Sequence, residues 1–102
     1  MEVNLQQHIR FADDLPVSEI LHSCQDMRVI LINLRPGQAM PPQTSSSSVA
    51  LHVVAGRAEL LSGCDWIAAE PGTVRFYPPG ESHGAKAGNE PVSVLAILAP
   101  RP

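Results

Sequence analysis

The chain is a series of short apolar runs cut by proline and glycine. Met27–Leu34 (M-R-V-I-L-I-N-L) is β-branched and almost continuously apolar, the pattern of a strand covered on both faces. Val49–Val54 and Val92–Ala99 also read as strands, and the shorter runs Val17–Cys24, Arg57–Leu61, Asp65–Ala69, Thr73–Tyr77 and His83–Lys86 complete the set. Turn residues separate them: Pro36-Gly37, Pro71-Gly72, Pro78-Pro79-Gly80 and Gly88–Pro91. Ser62-Gly63-Cys64-Asp65 joins two runs as a hairpin, with its glycine in a turn position. Pro41-Pro42 forces extended backbone leading into Gln43. Ser45–Ser48 has no side chain able to pack a core and reads as a loop or strand edge. About nine short strands, with turn signals roughly every 8–12 residues, predict an all-β sandwich or barrel. No strand alternates with a helix, so a parallel α/β sheet is not expected.

The first sixteen residues stand apart as an N-terminal segment ahead of a barrel domain at 17–102. Within Met1–Asp14, Leu5, His8, Ile9 and Phe11 are loosely spaced. The segment is expected to form one short helical turn or to drape over the body. Side-chain parity then orients the strands. Counted from Gln43 and Ser45, the positions Val49, Leu51 and Val53 face inward and His52 faces outward. Ile30, Ile32 and Leu34 are assigned the outward parity of their strand, which is nearly as apolar as the inward one. Such a face needs a second cover. The N-terminal segment or a second subunit would supply it, and a homodimer is expected.

Composition narrows the functions. The 102 residues make one domain. The chain is 44% hydrophobic and 17% charged, which is a globular balance. Net charge is −3 and the seven basic residues are scattered, so no nucleic-acid footprint is present. The start of the chain is polar and resembles no leader. The longest apolar run, Val92–Pro100, is too short to span a bilayer. A soluble cytoplasmic protein with no membrane or nucleic-acid partner is expected. Cys24 and Cys64 fit no zinc spacing and are read as reduced thiols, unless the fold brings them together.

Two spacings carry a resemblance. Gly37, Gln43, Ser45, Val49 and Gly56 form G-x5-Q-x-S-x3-V-x6-G; Gly72, Pro78, Gly80 and His83 form G-x5-P-x-G-x2-H. Fifteen residues separate Gly56 from Gly72. In order and internal spacing this pair resembles the two sequence motifs of the cupin family, as do the phrases R-P-G-Q and Y-P-P-G-E-S-H. The resemblance spans Val17–Pro100 and implies an antiparallel jelly-roll β-barrel with a pocket at one end, commonly dimeric. The family motif carries His, His and Glu where this chain has Gln43, Ser45 and Val49, with a third His matched by His83. Those four side chains bind a metal in the family. Here Gln43 offers a weak neutral amide, Ser45 a hydroxyl and Val49 nothing, so no metal and no cofactor are expected. His52 faces the wrong way to replace them, and His8 and His22 lie where the family has no ligand.

His83 is the leading site residue, because imidazole donates, accepts and titrates near neutrality. It is either a pocket anchor or base, or a polar residue satisfied by Gln43 or Ser45. Gln43 and Ser45 would form a neutral hydrogen-bonding floor with it for a small polar ligand. Arg75 shares a strand face with Tyr77 and either reaches a ligand carboxylate or lies on the outer surface. Met40, Leu51, Trp66 and Phe76 are expected in the core or pocket wall. The leading reading is a metal-free small-molecule-binding protein using Gln43, Ser45 and His83. The alternatives are an isomerase or epimerase with His83 as base, or a metal-dependent enzyme with a rebuilt site. A third is a non-catalytic partner or sensor protein.

Overall fold

The computed structural model describes all 102 residues. Nine strands follow one another: β1 Val17–Ser23, β2 Arg28–Leu34, β3 Ala39–Gln43, β4 Ser48–Ala55, β5 Ala58–Ser62, β6 Asp65–Ala69, β7 Val74–Tyr77, β8 His83–Ala87 and β9 Val92–Ala99. One 3₁₀ turn, Leu5–His8, precedes them. The Asn4 side chain caps it, accepting from the Gln6 N–H at 3.0 Å. The strands form a five-stranded sheet, ordered β1-β2-β9-β4-β7, and a four-stranded sheet, ordered β3-β8-β5-β6. Every pairing is antiparallel. The fold is the expected all-β jelly roll. Its two sheets face each other across one core.

The prolines explain β3. Proline has no N–H for a ladder and belongs at sheet edges. Pro41 and Pro42 lie in β3, an edge strand whose register with β8 shifts between Met40 and Gln43. In β4 the alternation reads as expected: Val49, Leu51 and Val53 are buried, while Ala50, His52 and Val54 are partly exposed. Ile32, Leu34, Leu60, Ala85, Val92, Val94 and Tyr77 complete the core from the other strands.

The parity assigned to β2 is reversed. Ile32 lies opposite Val94 and Leu34 opposite Val92, and all four are in the core. Ile30 packs against the core from the same row. The outward positions are Leu31 and Asn33, and both are fully buried nonetheless. The cover is the chain's own N-terminal segment. Asn33 donates its Nδ2 to the His8 carbonyl at 3.4 Å, and its Oδ1 accepts from Ser93 Oγ at 2.7 Å. Gln38 Nε2 donates to the Ala12 carbonyl at 2.9 Å. His8 meets Glu19 at 3.1 Å, and Arg35 meets Asp13 at 3.0 Å. A continuously apolar strand carries no alternation from which register can be read. The second cover for β2 therefore gives no ground for a second subunit.

Phe76 departs from its expected place in the core. Tyr77 pairs with the inward Val49, which puts Phe76 opposite the outward Ala50. It is 74% exposed. No helix of the protein is long and apolar enough to cross a membrane.

Candidate functional site

Strand pairing assembles one end of the barrel. Gln43 at the end of β3 lies directly opposite His83 at the start of β8. On the facing sheet, the inward row of β2 begins with Arg28 and Ile30, and Arg28 lies opposite Leu98 of β9. The loop after β3 brings Thr44 and Ser45 alongside. The two sequence motifs are tied together here, since the Gly80 N–H donates to the Ser45 carbonyl at 2.9 Å. Ser45 Oγ also accepts from the Ser47 N–H at 3.1 Å. Ser47 is buried, and its hydroxyl donates to the Pro100 carbonyl.

These residues enclose a cavity of about 270 Å³, lined by Arg28, Ile30, Gln43, Thr44, Ser45 and His83, with Leu98 and Pro102 closing its side. Gln43, Ser45 and His83 thus line the same cavity. Gln43 is exposed and Ser45 half-buried, so they form the rim of the opening and His83 its inner wall. A second cavity of about 250 Å³ shares Ile30 and Gln43 and continues along the seam past Ile32, Met40 and Pro41.

His83 is only 4% exposed. Its Nδ1 is sealed from solvent and has no hydrogen-bond partner. Burial pushes its pKa below the usual histidine value, against an opposing pull from the Glu81 backbone. The imidazole is therefore neutral at neutral pH, with one nitrogen able to donate and one to accept. Its ring lies 5.8 Å from that of Tyr77, tilted by 54°. The Tyr77 hydroxyl donates to the Leu61 carbonyl at 2.7 Å. Burial raises the Tyr77 pKa, so the phenol stays protonated and acts as a structural donor.

Arg75 takes neither of its expected places. It lies opposite Leu51, in the inward row of β7. Its Nη2 donates to Ser62 Oγ at 2.6 Å, its Cζ sits 5.7 Å from the Tyr77 ring centre, and its Nε is buried without a partner. It lines a separate void of about 110 Å³ with Leu60 and Thr73, away from the mouth.

The donor set does not fit the metal of the cupin motif. Val49 is a core residue. Gln43 and Ser45 supply an amide and a hydroxyl, leaving one imidazole, too few strong ligands for a divalent ion. Nor do three His, Cys, Asp or Glu side chains gather elsewhere. His52 is half-buried on the outward face, and His8 is engaged with Glu19. Cys24 and Cys64 are free thiols, the latter exposed on the β5–β6 turn.

Arg28 and Thr44 are the polar lining residues that sequence reasoning missed. The signal for Arg28 was its place two residues before Ile30 in an otherwise apolar strand. It became legible once the true inward parity of β2 was known.

No family model and no curated protein matches the chain. Solved structures match it over nearly its whole length. The TT1209 protein from Thermus thermophilus superposes with a TM-score of 0.92 at 26% identity, covering 100% of both chains. An RmlC-like cupin from Desulfovibrio desulfuricans gives 0.89 at 26% identity, covering 98% of this chain and 96% of its own. KdgF from a Halomonas species gives 0.81 at 19% identity, covering 98% and 94%, a likeness of fold alone. Strand order, motif spacing and these whole-chain matches agree that the chain has the RmlC-like double-stranded β-helix fold of the small single-domain cupins.

Proposed function

We propose that the protein binds a small molecule, without a metal, in the cavity at the mouth of its barrel. One observation carries the reading: Gln43 and Ser45 converge with His83, which is far from them in sequence, on one cavity whose lining holds no carboxylate side chain. The isomerase or epimerase alternative needs a proton donor beside its base. The cavity supplies His83 without an acidic partner, so binding is the better-supported role. The scattered charge and the free thiols suit a cytoplasmic setting.

The test is thermal unfolding of EDTA-treated protein. Zn, Mn, Fe and Ni salts are expected to leave the Tm unchanged. At least one member of a library of small polar metabolites is expected to raise it, since a ligand selective for the folded state must stabilise that state. The His83→Ala variant should lose that rise. A clear shift with one metal would instead favour a rebuilt metal site and the enzyme reading.

The homodimer is proposed on a different face from the one first considered. Val74 and Phe76 of edge strand β7 are exposed, and Ala50 and Ile97 continue the apolar strip in register. Beside Phe76 runs an open groove of about 440 Å³, lined by Ala50, Tyr77, Pro78 and Ile97 among others. A ring beside an apolar groove suits a two-fold interface, in which each copy supplies both features. Phe76→Asp is expected to convert a dimer to a monomer in light scattering, with the fold retained. A wild-type monomer at tens of micromolar, or a dimeric Phe76→Asp, would sink this proposal.

A further inference from the structure

The mouth cavity carries one cation with no acidic side chain beside it. Arg28 points along the inward row of β2 and lines the cavity. The ion pairs of the molecule are His8–Glu19, Arg10–Glu19, Arg35–Asp13 and Arg57–Glu70, and none involves Arg28. Its only side-chain hydrogen bond is a long one, from Nε to Ser23 Oγ at 3.4 Å. That leaves the terminal nitrogens of the guanidinium without a partner. No aspartate or glutamate lines the cavity, although acidic residues outnumber basic ones in the chain by ten to seven. A half-buried guanidinium is best matched by a planar oxyanion, which accepts two parallel N–H bonds.

The remaining walls describe the rest of the ligand. Ile30 and Leu98 are apolar, while Gln43, Thr44, Ser45 and His83 offer neutral donors and acceptors. A volume of about 270 Å³ corresponds to about nine waters at liquid density. That admits a molecule of roughly six to ten non-hydrogen atoms and little more. Resting on the proposal that this cavity binds a small molecule, we infer that the ligand is a small carboxylate, with its anion on Arg28 and its polar remainder facing Gln43, Ser45 and His83.

The test pairs each acid with its uncharged amide. Pyruvate, succinate and benzoate are compared with pyruvamide, succinamide and benzamide by thermal shift and titration calorimetry, at fixed ionic strength. At least one carboxylate is expected to raise the Tm where its amide does not. Arg28→Gln should lower its affinity about ten-fold or more, in line with the loss of a charge-assisted bond. Arg28→Lys should restore only part of it, because a lysine cannot form the paired bonds. If Arg28→Gln does not fold, the acid-against-amide comparison on the wild type decides alone. Equal binding of an acid and its amide, or a fully competent Arg28→Gln, would overturn the carboxylate assignment and leave small-molecule binding intact. No response to any member of either series, in Tm or in backbone amide resonances, would overturn both.

Discussion

Gly56→Ala is expected to destabilise the fold by about 3 kcal/mol, combining a left-handed backbone cost with an overpacking cost. Gly56 closes the first motif between β4 and β5 at φ +75°. A non-glycine residue there costs about 1–2 kcal/mol from backbone sterics alone. An added Cβ would also lie 2.1 Å from the Pro91 carbonyl oxygen, far inside any real contact. Relief requires moving backbone on both sides. The next residue is fastened, since the Arg57 N–H donates to Glu90 Oε1 at 2.6 Å and Ala58 pairs with both Ala69 and Ala87. For a domain of this length the loss amounts to a fall in Tm of roughly 15 °C. Gly72 is the control. It has φ +96°, and an added Cβ there would meet nothing within 4 Å, so Gly72→Ala should cost only about 1–2 kcal/mol. Denaturant unfolding of the two variants checks the ranking. Equal losses would show that the Pro91 clash relaxes freely.

That glycine also shows why so much of the fold could be read from the chain. Gly56, Pro78 and Gly80 are placed by backbone geometry, and geometry of that kind leaves a fixed spacing in the sequence. The alternation of Val49, Leu51 and Val53 was equally readable, because β4 has one buried face and one partly exposed face. β2 gave no such signal. Both its faces are buried, one by the core and one by the N-terminal segment, so composition alone could not separate Ile32 from Leu31. Phe76 was misplaced because its hydrophobicity suggested burial, whereas the pairing of Tyr77 with Val49 decides its side. Ser47 escaped notice as one serine among four. Its burial depends on the Pro100 carbonyl, 53 residues away.

The site was legible to the extent that the motif marked it. Gln43, Ser45 and His83 were named from spacing, and the cavity joins them. Arg28 belongs to no motif and arrives from the opposite sheet. Only the β2–β9 register brings its row to the mouth. The one charged side chain that lines the cavity was therefore hidden in the strand whose register could not be read.

Restoring the motif should restore a metal. The triple variant Gln43→His, Ser45→His and Val49→Glu, with His83 retained, is expected to bind Zn or Ni where the wild type does not. Two opposed effects make the outcome large. Val49 is 3% exposed and sits in the core, so a carboxylate there is costly without a counter-charge. The metal-free variant should therefore unfold well below the wild type in EDTA. An ion that binds only the folded form returns about 4 kcal/mol at a thousand-fold excess over its Kd. Its Tm should then rise steeply with added metal, and elemental analysis should find close to one equivalent. The backbone makes this a demanding test. The register of β3 shifts between Met40 and Gln43, and Ser45 lies beyond the end of the strand. If the variant folds yet takes up no metal, the loop no longer aims positions 43 and 45 at His83. The difference between a metal site and this polar mouth would then involve backbone as well as side chains. If metal binds, the scaffold is intact, and three side chains alone separate this cavity from a metal centre.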